Sequence, residues 1–115
     1  MSAELKFENK DAAFRLDTGK NRLDLLSVIA MEGTAQVMTF GAIKYAEHNW
    51  RKGMKWSRCI SSLLRHTFKF IAGEDIDPES GLPHVDHMAC NVMFLQEYYR
   101  NNKDLDDRYR SVNVK

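Results

Sequence analysis

The segment HVDHMACN, residues 84–91, sets His84, His87 and Asn91 at i, i+3 and i+7, so a helix there would carry all three on one stripe. Two histidines one turn apart can grip a single cation, and His66, on a preceding helical segment, can face them across a bundle. Between them the loop GEDIDPESGL carries Glu74, Asp75, Asp77 and Glu79, which offer hard oxygen ligands. Three of the four histidines in the chain thus share a 22-residue window with an acidic loop. That combination suits divalent-metal and phosphate chemistry. The structural alternative makes the histidines hydrogen-bonded residues at the edge of a core built from Val85, Met88 and Val92, and the loop a solvated turn.

Two metal motifs fail on their spacing. Asp75, Asp77, Glu79 and Asp86 fall at positions 1, 3, 5 and 12 of an EF-hand loop, but Ser80 replaces the sixth-position glycine and Pro78 sits at the fourth. The metal pair of an HD phosphohydrolase needs His before Asp, whereas Asp86 precedes His87 here.

Outside the window, Glu32, Gln36 and Thr39 form a thin polar stripe through apolar surroundings. A buried carboxylate costs several kcal/mol unless paired or metal-bound. Glu32 is therefore a metal ligand, the partner of a cation, or a residue at the solvent edge. In GAIKYAEHNW, Lys44 and Arg51 can meet phosphates, and Tyr45 or Trp50 can stack on a base or anchor the connection to the core. Arg65, beside His66, can reach the same anion.

These residues need helices to position them. Residues 1–22 are polar and form an N-terminal arm with Lys20 and Arg22 at its inner end. From Asp24 the pattern becomes helical: Leu26, Ile29, Ala30, Val37 and Gly41 share one face, while Val28, Met31, Ala35 and Met38 fill a second. Such a helix should be buried on two sides, which in a chain this small calls for another subunit and predicts a homo-oligomer. Residues 46–56 form a basic, Trp-containing connection. Ser57 is the expected N-cap of the next helix, whose apolar face is Ile60, Leu63, Leu64, Thr67, Phe68 and Ile71, with Gly73 as its stop. Pro83 fits the first turn of a final helix running to about Asn101, and residues 102–115 form a polar tail. No alternating stretch supports a sheet, so the expected fold is all-α, a single helical domain over 1–115 with three to four main helices.

The bulk composition bounds the partners. Lysine plus arginine number 17 against 16 acids, a net charge of +1, so no global field holds a nucleic-acid polymer. The two cysteines, Cys59 and Cys90, sit in apolar helical patterns without a CxxC pair and read as buried thiols in a reducing compartment. The N-terminus lacks the apolar run of a signal peptide, and no stretch approaches the ~20 apolar residues that span a bilayer, so a cytoplasmic, membrane-free protein is expected.

Taken together, TGKNRLDLL, TFGAIKYAEHNWRKG and LLRHTFKFIAGEDIDPESGLPHVDHMACNVMFL resemble the phage-associated family described as dATP/dGTP diphosphohydrolase, N-terminal domain, over residues 18 to about 97. The resemblance implies a fold similar to the all-α NTP pyrophosphohydrolases of the MazG type, helical oligomers that use Mg²⁺ or Mn²⁺ to cleave a nucleoside triphosphate to monophosphate and pyrophosphate. It implies metal ligands among Glu32, His66, Glu74, Asp77, His84 and His87, with Glu74, His84 and His87 catalytic and Glu74 as general base. Lys20, Arg22, Lys44 and Arg65 would then neutralise phosphates, and Asn49, Trp50 and Asn91 would contact base or sugar.

One departure from that pattern matters chemically. MazG-type enzymes hold metal with ExxE and ExxD pairs, whereas this chain offers Glu32 with Gln36, and His84 with His87. Histidine favours Mn²⁺ or another transition metal over Mg²⁺. The leading expectation is a metal-dependent pyrophosphohydrolase of purine deoxynucleotides. The alternative, motivated by the missing carboxylates, is a module of the same fold that binds a nucleotide or a protein without chemistry.

Overall fold

A computed structural model describes residues 12–110; the outer parts of the expected N-terminal arm and C-terminal tail, residues 1–11 and 111–115, lie outside the described residues. Three main helices make an all-α fold: α1 (Val28–Lys44), α2 (Trp56–Ile71) and α3 (His84–Asn101), with short 3-10 turns at Leu23–Leu25, Asn49–Lys52 and Lys103–Leu105. The central helix is α3, which packs against both α1 and α2.

The helix boundaries follow from local chemistry. The first helix starts four residues later than the pattern from Asp24 predicts, because Ser27 is extended and its Oγ accepts the Ala30 N–H at 3.1 Å. Residues 23–25 turn separately as 3-10 helix, and the Arg22 guanidinium forks onto Asp24 at 2.8 and 2.7 Å.

Ser57 is not the N-cap of α2, which already begins at Trp56. The cap comes from the far end of the chain: Asp107 accepts the Ser57 N–H at 2.9 Å and the Ser57 hydroxyl at 2.5 Å. The indole of Trp56 also donates to the Asn102 carbonyl at 3.2 Å, so the polar segment after α3 is strapped across the start of α2.

Helix α2 stops as the sequence predicts. Gly73 has φ +97°, its N–H meets the Phe70 carbonyl, and the Glu74 N–H reaches back to Lys69, the paired bonds of a Schellman cap. The following loop closes on itself through Asp77 N–H to Leu82 O at 2.9 Å and His84 N–H to Asp75 O at 2.9 Å. Pro83 stands at the N-cap of α3 with ψ 139°, one residue before the first turn rather than within it.

The core of the described residues is small: Val37, Trp56, Cys59, Cys90 and Tyr98. Two-sided burial of α1 is not met within the chain. Only Val37 of that helix is buried, while Ile29 and Ile43 are 86% and 84% exposed, because α3 covers a single face of it. No helix among the described residues is long and apolar enough to cross a membrane.

Candidate metal centre

Helix α3 delivers His84 and His87 from its first turn, α2 delivers His66 from its second half, and the closed loop delivers Glu74, Asp77 and Ser80. His84 is almost wholly buried and His87 nearly so. Burial this deep demands partners for their ring nitrogens, and both rings are hydrogen-bonded within the cluster.

The Nε2 atom of His84 lies 2.8 Å from Glu74 Oε1. An ionised carboxylate only accepts, so the His84 proton sits on Nε2. In the neutral ring this leaves Nδ1 as a bare lone pair, aimed at His66 Nδ1 2.9 Å away. Two nitrogens each about 2.1 Å from one ion, at about a right angle, would stand about 2.9 Å apart. Asp77 completes the group: His66, Asp77 and His84 each offer a ligand atom, all within 4.8 Å of one another.

A second layer holds Asp77. Its Oδ2 accepts the Ser80 hydroxyl at 2.8 Å and the Ser80 N–H at 3.1 Å. With the Ser80 proton committed to Asp77, His87 Nε2 donates to the Ser80 oxygen at 2.6 Å. The His87 ring stacks on His66, with centroids 4.4 Å apart and planes within 3°.

The protonation states agree with this arrangement. Burial pushes His66 below the ordinary value of 6.5, and the neighbouring His87 pushes it further. Burial likewise lowers His87, against the pull of Asp77. Both rings are thus neutral at neutral pH, the form that binds metal. Burial opposes ionisation of Asp77, but the Ser80 bonds and the adjacent histidines outweigh it and hold the carboxyl below 3.8.

The sequence pattern of the family described as dATP/dGTP diphosphohydrolase, N-terminal, matches residues 10–108. The chain belongs to that family. Within the same range lie α1, α2, α3, the acidic loop and every residue of the His cluster. A protein from Salmonella phage PMBT28 named dATP/dGTP diphosphohydrolase is 34% identical over 100 residues, covering 87% of this chain and 34% of the relative. The chain therefore spans about a third of the length of that curated relative. No solved structure matches the chain.

The donor set of this family member fits a divalent cation. Two imidazole nitrogens and one carboxylate converge, one imidazole is held by an outer carboxylate, and the arrangement is that of a ligand shell with its supporting layer. A transition metal suits it better than Mg²⁺, which prefers oxygen.

The other residues singled out from sequence are dispersed. Glu32 stands outside the cluster and lines an open groove of about 530 Å³ where α1 faces Ser80 and Leu82 of the loop. Lys44, at the end of α1, pairs with Glu79 of the loop and lies over the Tyr45 ring at 5.1 Å. Arg65 bonds Ser61 at 2.9 Å on the exposed side of α2, and its charge helps lower the pKa of the neighbouring His66. Trp50 stacks on Phe94 at 4.8 Å under the Arg51 guanidinium, which anchors the connection, and the neighbouring Asn49 opens the same 3-10 turn. Asn91 is buried and donates to the His87 carbonyl at 3.0 Å and to Ser62 at 3.3 Å. Lys20 and Arg22 stand in the exposed segment before α1.

Ser80 is the residue the sequence reading missed. Its only signal was as the misfit in the EF-hand comparison, yet it joins His87, Asp77 and the groove.

Proposed function

We propose that this domain is the catalytic part of a metal-dependent hydrolase that cleaves a purine deoxynucleoside triphosphate to monophosphate and pyrophosphate. The observation that carries the reading is the convergence of His66, Asp77 and His84 within 4.8 Å, and the name of the phage relative supplies the substrate class. Nδ1 of His66, Nδ1 of His84 and the Asp77 carboxylate would hold Mn²⁺, with Mg²⁺ or another transition metal as substitutes. When bound, the ion would screen the triphosphate and make water more acidic.

The chain's own residues supply the rest. Glu74 fixes the His84 tautomer with one oxygen, and its side chain is 41% exposed, so the other oxygen can take a proton from the attacking water. Water adds across the phosphoanhydride bond as that bond breaks, and pyrophosphate leaves. Ser80 and His87 hold Asp77 in its ionised form. Lys44 neutralises phosphate oxygens once Glu79 releases it. Exposed apolar side chains on α1, above all Ile29 and Ile43, support a homo-oligomer built through that helix.

The test is chromatography of products after incubation with a panel of dNTPs and NTPs, with Mn²⁺, with Mg²⁺ and with neither. Monophosphate plus pyrophosphate appearing only with metal is the expected result. An intact panel would favour the second reading, nucleotide capture without hydrolysis, which the single carboxylate in the converging group supports.

A further inference from the structure

The groove beside the cluster has its own chemistry. Its α1 wall presents Glu32, Gln36 and Thr39 in a polar row, and Phe40, Ile43 and Leu82 supply apolar surface. The Thr39 hydroxyl is spent on the Ala35 carbonyl at 2.9 Å. Among the described residues, Glu32 and Gln36 have no side-chain partner. They stand one helical turn apart on the same face, so their polar ends can meet adjacent atoms of one planar ligand. Ser80 belongs both to this groove and to the network around Asp77, so a molecule in the groove has one end next to the proposed metal.

We infer that this groove is the purine-reading subsite, with Glu32 and Gln36 contacting the Watson–Crick edge of the base. The inference rests on the nucleotide substrate proposed above and adds where, and by which groups, its base is read. Guanine presents N1–H and N2–H donors, which the two oxygens of Glu32 accept, while its O6 accepts from the Gln36 amide. Adenine presents N6–H to Glu32 or to the Gln36 oxygen, and its N1 accepts from the Gln36 amide. One pair of side chains thereby serves both purines, and the carboxylate matters more for guanine. Phe40, Ile43 and Leu82 give the purine rings apolar surface, and the smaller pyrimidine ring covers less of it. Trp50 cannot serve as the stacking platform while its face is committed to Phe94.

The test is calorimetric titration of the full chain with dGMP, dAMP, dCMP and dTMP in EDTA, so that neither metal nor turnover enters. Wild type should bind both purine nucleotides more tightly than either pyrimidine. Glu32→Gln should weaken dGMP at least about tenfold, the discrimination expected for a lost bidentate base contact, and leave dAMP within about threefold. Ile43→Trp, a substitution at an exposed position that fills the groove, should abolish both. Mn²⁺ affinity of Glu32→Gln should equal that of wild type, which separates base reading from metal ligation. Absence of purine binding, wild-type binding by both variants, or loss of Mn²⁺ affinity in Glu32→Gln would overturn the assignment. A protein that binds purines in this way but yields no product with metal would refute the proposed hydrolysis and leave the subsite standing.

Discussion

Glu74 and His84 form a carboxylate–imidazole pair at 2.8 Å that turns the unprotonated face of the buried His84 ring toward His66. The pair has two separable duties. Glu74→Gln keeps an oxygen that accepts the Nε2 proton but loses the basic carboxylate. Mn²⁺ affinity should therefore fall little, while hydrolysis drops by about 10²- to 10⁴-fold, the usual contribution of a general base. Glu74→Ala removes both duties and should also weaken Mn²⁺ by about 10- to 100-fold. Calorimetry beside product chromatography reads the split; equal metal affinity in all three proteins would show that Glu74 does not position His84.

Ser80 is predicted to act through Asp77. Ser80→Ala deletes the hydroxyl that donates to Asp77 and accepts from His87, so Asp77 is freer to rotate and to protonate. Mn²⁺ affinity should fall about tenfold, the lower end for a supporting residue around a metal. Ser80→Thr keeps the hydroxyl and should restore most of it. If the alanine variant binds metal as wild type does, the network is not a support for the ligand.

The two thiols should be inert in the native protein. Cys59 and Cys90 are buried, and burial raises their pKa values to about 11 and about 12 from an ordinary 9.0. At pH 8 almost no thiolate forms, and thiolate is the reactive species. Ellman's reagent should label both quickly in guanidinium and neither at a comparable rate in buffer. Rapid labelling of the native chain would mean that α3 separates readily from its neighbours.

What the sequence disclosed, and what it withheld, has a common physical cause. The His84, His87, Asn91 stripe and the extent of α3 depend on residues within one helix, and both are visible as periodicity between Pro83 and Asn101. The end of α2 is likewise local, set by Gly73. The α2 cap is not, because Asp107 comes from 50 residues away. Helix α1 posed a different problem. It carries apolar residues on two faces beside the thin stripe of Glu32, Gln36 and Thr39, so periodicity could not say which side meets α3, and hence could not place Glu32 on the groove rather than in the cluster. One close approach between the two helices depends on a missing side chain: a Cβ on Gly33 would collide with the Asp86 carboxylate.

Trp50 shows the same limit at a single residue. The pattern HNW allowed a base-stacking or an anchoring indole, and only the approach of Phe94 and Tyr98 decides for the anchor. That anchor leads to the last prediction. Tyr98 is fully buried, and its hydroxyl donates to the Trp50 carbonyl at 2.7 Å. Tyr98→Phe keeps the ring but leaves the carbonyl without this donor, a loss of about 1–2 kcal/mol, or roughly 5 °C in Tm for a domain of this size. Burial also raises the phenol to about 12 from 10.0. Between those values the unfolded chain gives up the Tyr98 proton while the folded chain keeps it. This contribution to wild-type stability is therefore complete below pH 10 and is lost as the pH rises toward 12. The phenylalanine variant has no such group, and both proteins keep the two buried thiols. The stability gap, measured by urea unfolding, should be widest below pH 10 and narrow steadily above it. A gap that stayed constant or widened with pH would mean that the Tyr98 hydroxyl is not held by Trp50 in the folded protein.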